Sequence, residues 1–308
     1  AMRFFRPATA GGFGATAAVA RLMGFDQETL CNAFGLQYAQ TSGTLQPHVE
    51  GSVALPLQVG LNSRAAVQSC DLAGQGLPGP RDVFEGPYGY LRLFEGEWDL
   101  EPVFANLGWR WRVAELSHKP YPAGRATHAG VEALIRLRKE RPFTLDEVEA
   151  VTIVGPPVTA RLCSRPDVPE PTQNYARLCM AYIAAKVLLH GEIDLAHYRG
   201  EHLTDTETHR VAQKVRMLSD GGNDPNALVP VSTTIRLTGG EELSWNCTDM
   251  LASPTRRLTR EQHLTKFRRC WQFAEAPLTD SARDRLVDLV DRLEEVGDVR
   301  ELTSLTTC

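Results

Sequence analysis

The feature of the sequence that most constrains the fold is a change of residue pattern near Trp98 and a second change near Pro254. Before the first change, apolar and small residues recur with helical spacing. Between the two changes, short alternating segments typical of strands are mixed with helical ones, and afterwards the pattern is helical again. The sequence therefore predicts a mainly helical domain, residues 2–97 and 253–308, interrupted by a smaller α+β domain over residues 98–252.

Several helices of the predicted helical domain have recognisable starts. Small residues predict a helix over 14–23, Asp26 is a candidate N-cap for the next helix, and a third helix is predicted over 59–72. In the last segment, Thr259 precedes one predicted helix, and residues 281–296 place their apolar side chains on one face of another. These patterns account for the helical class of the domain.

The middle segment mixes the two periodicities. Its predicted elements, in order, are a strand over 109–116, a helix over 127–139, a strand over 147–154, a helix over 174–190, and a hairpin of strands 229–237 and 242–247. The hairpin prediction depends on the Thr238-Gly-Gly-Glu241 turn between two alternating runs. This segment is therefore predicted to be α+β.

Charge and composition exclude several classes of function. The formal net charge is −5 and no run of Lys or Arg is present, so neither nucleic acid nor a membrane surface is an expected partner. The apolar stretches are shorter than the roughly 20 residues of a membrane span, and no secretory signal follows Met2, so we expect a cytoplasmic protein. The seven cysteines include no CxxC pair, and no two histidines have the i, i+4 spacing of helical metal ligands. Neither a disulfide framework nor a metal site is predicted.

A glycine-rich stretch, Thr9-Ala-Gly-Gly-Phe-Gly14, precedes the first predicted helix. Backbone N–H groups at a helix N-terminus can bind an anion, and Arg6 would add a cation suited to a carboxylate. The alternative is a tight turn that lets two helices touch, which the spacing alone favours. Both interpretations stay open from the sequence.

A second candidate site is the loop from Ser117 to Arg125, which carries His118 and Lys119 and is stiffened by two prolines. A lysine in such a loop can act as an acid or base. It can also stabilise the enolate that forms when a proton leaves the carbon α to a carboxylate. The alternative is a solvated loop with incidental charges.

Tyr182 lies in an apolar stretch of the predicted helix over 174–190. A phenol there is either a core residue with one hydrogen bond or a proton donor in a cleft, and the sequence alone favours the core. His48 and Glu50 lie in a predicted loop and carry no specific signal.

Blocks spread over nearly the whole chain resemble the MmgE/PrpD family, which includes 2-methylcitrate dehydratase, cis-aconitate decarboxylase and iminodisuccinate epimerase. In the family's order, the blocks are Phe5-Arg-Pro-Ala-Thr with the glycine- and alanine-rich run after it, Leu22-Met-Gly-Phe-Asp, Gln40-Thr-Ser-Gly, Glu50-Gly-Ser, Gly60, Phe84-Glu-Gly-Pro-Tyr-Gly-Tyr and Lys119-Pro-Tyr-Pro. The resemblance implies a helical domain interrupted by an α+β domain, with the active site in the cleft between them. It also implies homodimers and chemistry without a cofactor on small polycarboxylates, by proton transfer α to a carboxylate.

The resemblance also implies roles for particular residues. Lys119 matches the lysine of the family's KPYP motif, Tyr182 matches an aromatic residue of the cleft, and both are expected to be catalytic together with His118. Arg6 stands in place of a histidine proposed as an acid or base, and a guanidinium can bind a carboxylate but cannot act as a base. The expected substrate-binding residues are Arg6, Thr9, Ser52, Gln58 and Arg125.

Departures from the family pattern leave two hypotheses. Leu55-Pro-Leu-Gln58 replaces a Lys-Arg-x-His block, Gly124 replaces a histidine of some members, and the family has a further N-terminal part ahead of Met2. The first hypothesis is a divergent lyase or isomerase, 2-methylcitrate dehydratase-like, with the missing helices supplied by an upstream-encoded partner. The second is a catalytically degenerate or partial subunit that serves as a binding or assembly module.

Overall fold

A computed structural model of the chain describes residues 4–224, 226–275 and 278–307. These residues form two compact units. Unit 1 consists of residues 4–111 and Pro171–Ala176, and unit 2 consists of Arg112–Glu170 and residues from Arg177 onward. A mainly helical chain with a smaller α+β part is confirmed, whereas the domain boundaries at 97/98 and 252/253 stay a prediction.

The regular elements follow one another in mixed order. The α-helices are α1 (Arg6–Leu22), α2 (Gln27–Tyr38), α3 (Gln46–Glu50), α4 (Ala54–Gly74), α5 (Glu101–Phe104), α6 (His128–Glu140), α7 (Pro157–Cys163), α8 (Gln173–Ala176), α9 (Met180–His190), α10 (Thr206–Ala212), α11 (Arg260–Gln272), α12 (Asp280–Asp291) and α13 (Arg300–Ser304), and the strands are β1 (Val148–Gly155), β2 (Val215–Ser219), β3 (Val231–Leu237) and β4 (Glu242–Cys247). Among the described residues, no helix has both the length and the apolar character that crossing a membrane requires.

Unit 1 is built around the packing of α1, α2 and α4. The predicted cap of α2 is confirmed, because the Asp26 carboxylate accepts the Thr29 N–H at 2.8 Å. Small buried side chains, among them Ala33 and Cys70, allow the helices to approach closely. A neighbouring cluster of aromatic rings around Phe13 fills the wider space between α1 and the segment that contains Tyr90.

Helix α2 lies close to the loop after α4. Two glycine-to-alanine substitutions are therefore expected to change the unfolding free energy in opposite directions. A Cβ on Gly35 would lie 2.4 Å from the Pro80 carbonyl oxygen, which real contacts do not allow, so Gly35→Ala is expected to cost about 2 kcal/mol of unfolding free energy. The matched control is Gly11, which is exposed on α1 with nothing within 4 Å of its Cβ position. Gly11→Ala is expected to stabilise by up to about 1 kcal/mol. Urea denaturation of both variants checks this, and equal effects would contradict it.

Unit 2 contains a four-stranded sheet of order β2-β1-β3-β4, in which β1 and β2 are parallel and the other pairs are antiparallel. The predicted β3–β4 hairpin is confirmed. Alternate residues of β3, including Ile235, are buried, and they face α6, which packs on β3 and β4. Because α9 packs on α6 and on β2, its apolar residues complete the core of this unit.

The prediction of a strand over 109–116 is wrong. These residues form a turn and a short 3-10 helix at Arg112–Glu115, and Trp109 and Trp111 are 87% and 69% exposed. An alternating pattern becomes a strand only where a neighbouring strand supplies hydrogen bonds, and no ladder among the described residues includes this segment. The helix predicted over 174–190 is also divided, because residues 177–179 separate α8 from α9.

The remaining predicted elements are confirmed with shifted ends. The helix predicted over 127–139 is α6, and the strand predicted over 147–154 is β1. The start of α11 is fixed by a capping box, in which Thr259 and Gln262 bond to each other's backbone N–H groups.

Candidate functional site

The predicted site residues are divided between the two units. Unit 1 contains Arg6, Thr9, Ser52 and Gln58, and unit 2 contains His118, Lys119, Arg125 and Tyr182.

The structure brings Arg6 and Thr9 into one network at the start of α1. The Arg6 guanidinium forms an ion pair with Glu95 at 2.7 Å, and the hydroxyl of fully buried Thr9 lies 3.0 Å from the Tyr90 hydroxyl. Tyr90 donates in turn to Glu95 at 3.3 Å. Glu95 therefore already supplies a carboxylate to Arg6, and a substrate carboxylate would have to compete with it.

Gln58 and Ser52 make local contacts instead. The Gln58 amide accepts the Thr44 N–H at 2.7 Å and donates to the Thr44 carbonyl at 3.2 Å, so both ends of the amide are bonded to one backbone residue. The Ser52 hydroxyl accepts the Ala54 N–H at 3.2 Å at the start of α4. In this conformation both side chains stabilise loops.

The interpretation of Thr9–Gly14 as an anion-binding helix start is wrong, and so is the alternative of a turn. Because α1 begins at Arg6, with proline in its first turn, this stretch lies inside the helix, where its N–H groups serve the helical ladder. One of its glycines allows close packing, since a Cβ on Gly12 would lie 2.4 Å from the Gln37 amide nitrogen.

In unit 2, the loop from Ser117 to Arg125 carries four cationic or titratable side chains, His118, Lys119, Tyr121 and Arg125. His118 and Lys119 are exposed, and the edge of the His118 ring lies against His263 with ring centroids 4.7 Å apart. Lys119 has neither an ion-pair partner nor a hydrogen-bond partner among the described side chains. Its ammonium group is therefore available for a ligand.

Arg125 fixes the tautomer of its neighbour His128. The Arg125 Nη1 donates to the Leu251 carbonyl at 2.8 Å and lies 3.2 Å from His128 Nδ1. Because a guanidinium only donates, Nδ1 must be the acceptor, and His128 Nε2 then donates to the Ala123 carbonyl at 3.3 Å. Burial, and next the Arg125 charge, lower the pKa of His128 to about 3, so the ring is neutral.

The other edge of the Arg125 guanidinium has no hydrogen-bond partner within the described ranges. Nε and Nη2 are both buried without a hydrogen bond. These two nitrogens form the edge that binds a carboxylate through two parallel hydrogen bonds. Burial lowers the pKa of Arg125, but an arginine stays charged in proteins, so the unpaired edge carries a cost that an acceptor would relieve.

Tyr182 has the surroundings of a core residue. Its side chain is fully buried, and its hydroxyl donates to the carbonyls of His197 and His202, at 2.5 and 2.8 Å. Burial, followed by the nearby charge of Asp205, raises the pKa of the phenol. Its role as a proton donor stays a prediction, and that role requires these hydrogen bonds to open.

Three residues next to the loop were not predicted from the sequence. His128 and Glu132 are four residues apart on α6, directly after the loop, and that spacing was the available signal. Arg256 forms an ion pair with Glu132 across 124 residues of sequence, so no local pattern could indicate it.

The described ranges contain no group of three or more His, Cys, Asp or Glu side chains that could hold a metal ion. Chemistry without a metal or cofactor stays a prediction from the resemblance. With the residues present, the loop can bind an anion through Arg125, and it also carries the positive charge of Lys119.

Comparison with known proteins covers both units. The sequence matches the model of the MmgE/PrpD N-terminal domain over residues 1–103 and that of the MmgE/PrpD C-terminal domain over residues 121–294. A cis-aconitate decarboxylase-like protein, oryM, of Aspergillus oryzae is 25% identical over 96% of this chain and 63% of its own length. The cis-aconitate decarboxylase of Aspergillus terreus is 25% identical over 94% of this chain and 62% of its own length. The chain thus spans less than two thirds of these curated relatives.

Proposed function

We propose, because this chain belongs to the MmgE/PrpD family, that it acts as a lyase or isomerase on a small di- or tricarboxylate. The reaction begins with transfer of a proton at the carbon α to a carboxylate. The family resemblance implied a 2-methylcitrate dehydratase-like enzyme, whereas the curated relatives are named for decarboxylation. Both reactions place negative charge beside a carboxylate, so both need a cationic group and an anchored carboxylate.

The observation that carries the proposal is the unpaired edge of Arg125. Its Nε and Nη2 have no acceptor among the residues that the structure describes, while Nη1 is held by Leu251 and His128. The edge formed by Nε and Nη2 can therefore bind a carboxylate, and the hydrogen bonds of Nη1 orient it. Because these nitrogens are covered, binding requires the loop to shift.

Lys119 supplies the second positive charge in this scheme. It is six residues before Arg125 in the same loop, and it is exposed. Its ammonium would stabilise the enolate oxygens, while His118, also exposed, is the candidate acid or base. Arg6, Thr9, Ser52 and Gln58 remain proposed substrate-binding residues, and a homodimer remains a proposal as well.

The second candidate function is a binding or assembly module without catalysis. The ion pair of Arg6 with Glu95 and the bonding of Gln58 to Thr44 favour it, because both occupy side chains that a substrate would need.

The test is ligand binding rather than turnover. Calorimetric titration with cis-aconitate, 2-methylcitrate, citrate, itaconate and tartrate is expected to give binding of at least one acid. Arg125→Lys should weaken it about tenfold to a hundredfold, because a lysine cannot make the paired hydrogen bonds. Lys119→Ala should weaken it by a similar factor.

The control is Arg136→Lys, which changes an arginine that pairs with Glu140 on the exposed side of α6. It should leave binding unchanged. If no acid binds, or if Arg125→Lys and Arg136→Lys behave alike, the proposal of a carboxylate site fails and the binding-module function gains support.

A further inference from the structure

We propose that Glu132 and Arg256 are positioning residues for the loop from Ser117 to Arg125. They act through the turn formed by Asp249–Arg256, here called the backing turn. This inference rests on the proposed function for the importance of the loop. The contacts themselves all lie within unit 2.

The backing turn holds both ends of the loop through consecutive carbonyl groups. The His118 backbone N–H donates to the Ala252 carbonyl at 3.0 Å. The Arg125 side chain donates to the Leu251 carbonyl at 2.8 Å. The direction of the free Arg125 edge and the start of the segment that carries Lys119 therefore depend on one short turn.

Glu132 fixes this turn with a single carboxylate. One oxygen pairs with Arg256 Nη2, and the other accepts the Leu251 N–H at 3.3 Å. The Glu132 side chain is only 11% exposed, so water replaces little of what the pair provides. The carboxylate thus connects helix α6 to the residue whose carbonyl orients Arg125.

Arg256 closes the turn from its other end. Its Nη1 donates to the Asp249 carbonyl at 3.0 Å, and its own carbonyl accepts the Ala252 N–H at 2.8 Å. Ala252 has φ +66°, in the left-handed region that alanine rarely adopts. Such a conformation persists only where the surroundings impose it. Glu132 and Arg256 do so from outside and from the end of the turn, and the Asp249 carboxylate accepts the Ser253 and Thr255 hydroxyls within it.

The measurement is hydrogen exchange by mass spectrometry on the whole chain, with Glu132→Gln and Arg256→Met as variants. We expect exchange in peptides covering 117–126 to accelerate at least about tenfold, which corresponds to about 1.4 kcal/mol of opening free energy. Peptides covering β1 and β3 should keep their rates. Arg256→Lys retains the charge and should give an intermediate rate, and it serves if a stronger variant fails to fold.

Glu140→Gln is the matched control, because it removes an exposed ion pair from the same helix. It should leave the loop unchanged. Unchanged exchange in 117–126 for Glu132→Gln and Arg256→Met would overturn the inference, and so would a uniform rise across the sheet. Selective loosening together with weaker cis-aconitate binding supports it. Selective loosening in a chain that binds no carboxylate supports the positioning role but refutes the proposed function.

Discussion

Replacing Asp205 by asparagine is expected to lower the free energy of unfolding by about 2 to 3 kcal/mol. The Lys186 side chain is fully buried, and its only ion-pair partner among the described residues is Asp205, at 3.3 Å. Removing one member of such a pair leaves a buried charge uncompensated, which typically costs about 3 to 5 kcal/mol. Because the Asp205 side chain is 35% exposed, the expected loss lies at or below the lower end of that range.

Asparagine is the informative substitution because it keeps the other roles of Asp205. The aspartate also accepts the Glu207 N–H at 3.2 Å as the N-cap of α10, and it accepts the Thr208 hydroxyl. The two contacts use different carboxylate oxygens, Oδ1 for the Glu207 N–H and Oδ2 for the Thr208 hydroxyl. Asparagine can keep the cap through its single oxygen, and its NH2 group can donate to the Thr208 hydroxyl oxygen. The change therefore removes the negative charge and keeps the cap, whereas alanine would also remove the cap.

Lys186→Met is the matched control. Methionine fills similar space, and Lys186 lies over the Tyr182 ring with Nζ 5.5 Å from the ring centroid, where a thioether also packs well. We expect Lys186→Met to change the free energy of unfolding by no more than about 1 kcal/mol. The double variant with Asp205→Asn should be no less stable than Lys186→Met alone. Guanidinium denaturation measures all three. Additive losses in the double variant would show that the buried charge is not the cause.

Stability is also expected to fall as the pH is lowered from about 6.5 to about 4. His128 and His197 are 2% and 8% exposed. Burial first, and then the nearby positive charges, lower the pKa of His128 to about 3 and that of His197 to about 4; the charges are Arg125 for His128, and the neighbouring histidines and Lys186 for His197. The unfolded chain takes up these protons near pH 6.5, before the folded chain does, so it is favoured through that window.

Each histidine should contribute a slope of about 1 kcal/mol per pH unit. His197→Asn tests this, because the asparagine oxygen can accept the Asp194 N–H that His197 Nδ1 now accepts at 3.0 Å. Denaturation curves between pH 7.5 and 4.5 should show a slope below pH 6.5 that is smaller than the wild-type slope by about 1 kcal/mol per pH unit. At pH 7.5 the histidine and asparagine side chains are both neutral. The unfolding free energies of the wild type and of His197→Asn at that pH are therefore the reference values. An unchanged slope would show that His197 is not buried in its neutral form.

The sequence by itself determined the elements whose signals are local. The Asp26 cap and the Thr259–Gln262 capping box each depend on residues within one turn. The Thr238–Glu241 turn with its alternating flanks was enough to identify the β3–β4 hairpin. The family followed from the order of motifs along the chain, which needs no spatial information. The loop from Ser117 to Arg125 was also recognisable, because its residue types and prolines are contiguous.

Only the tertiary structure decided which side chains are available for chemistry. The alternation over 109–116 was real, but no strand among the described residues pairs with it. Arg6 and Gln58 carry suitable groups, yet Glu95 and the Thr44 backbone already bind them. Arg125, by contrast, has an unpaired edge suited to a carboxylate, and the Leu251 carbonyl, 126 positions away, holds its Nη1. Hydrogen bonds and burial between distant residues leave no periodicity in the sequence, and they set both the pKa of His128 and the orientation of Arg125.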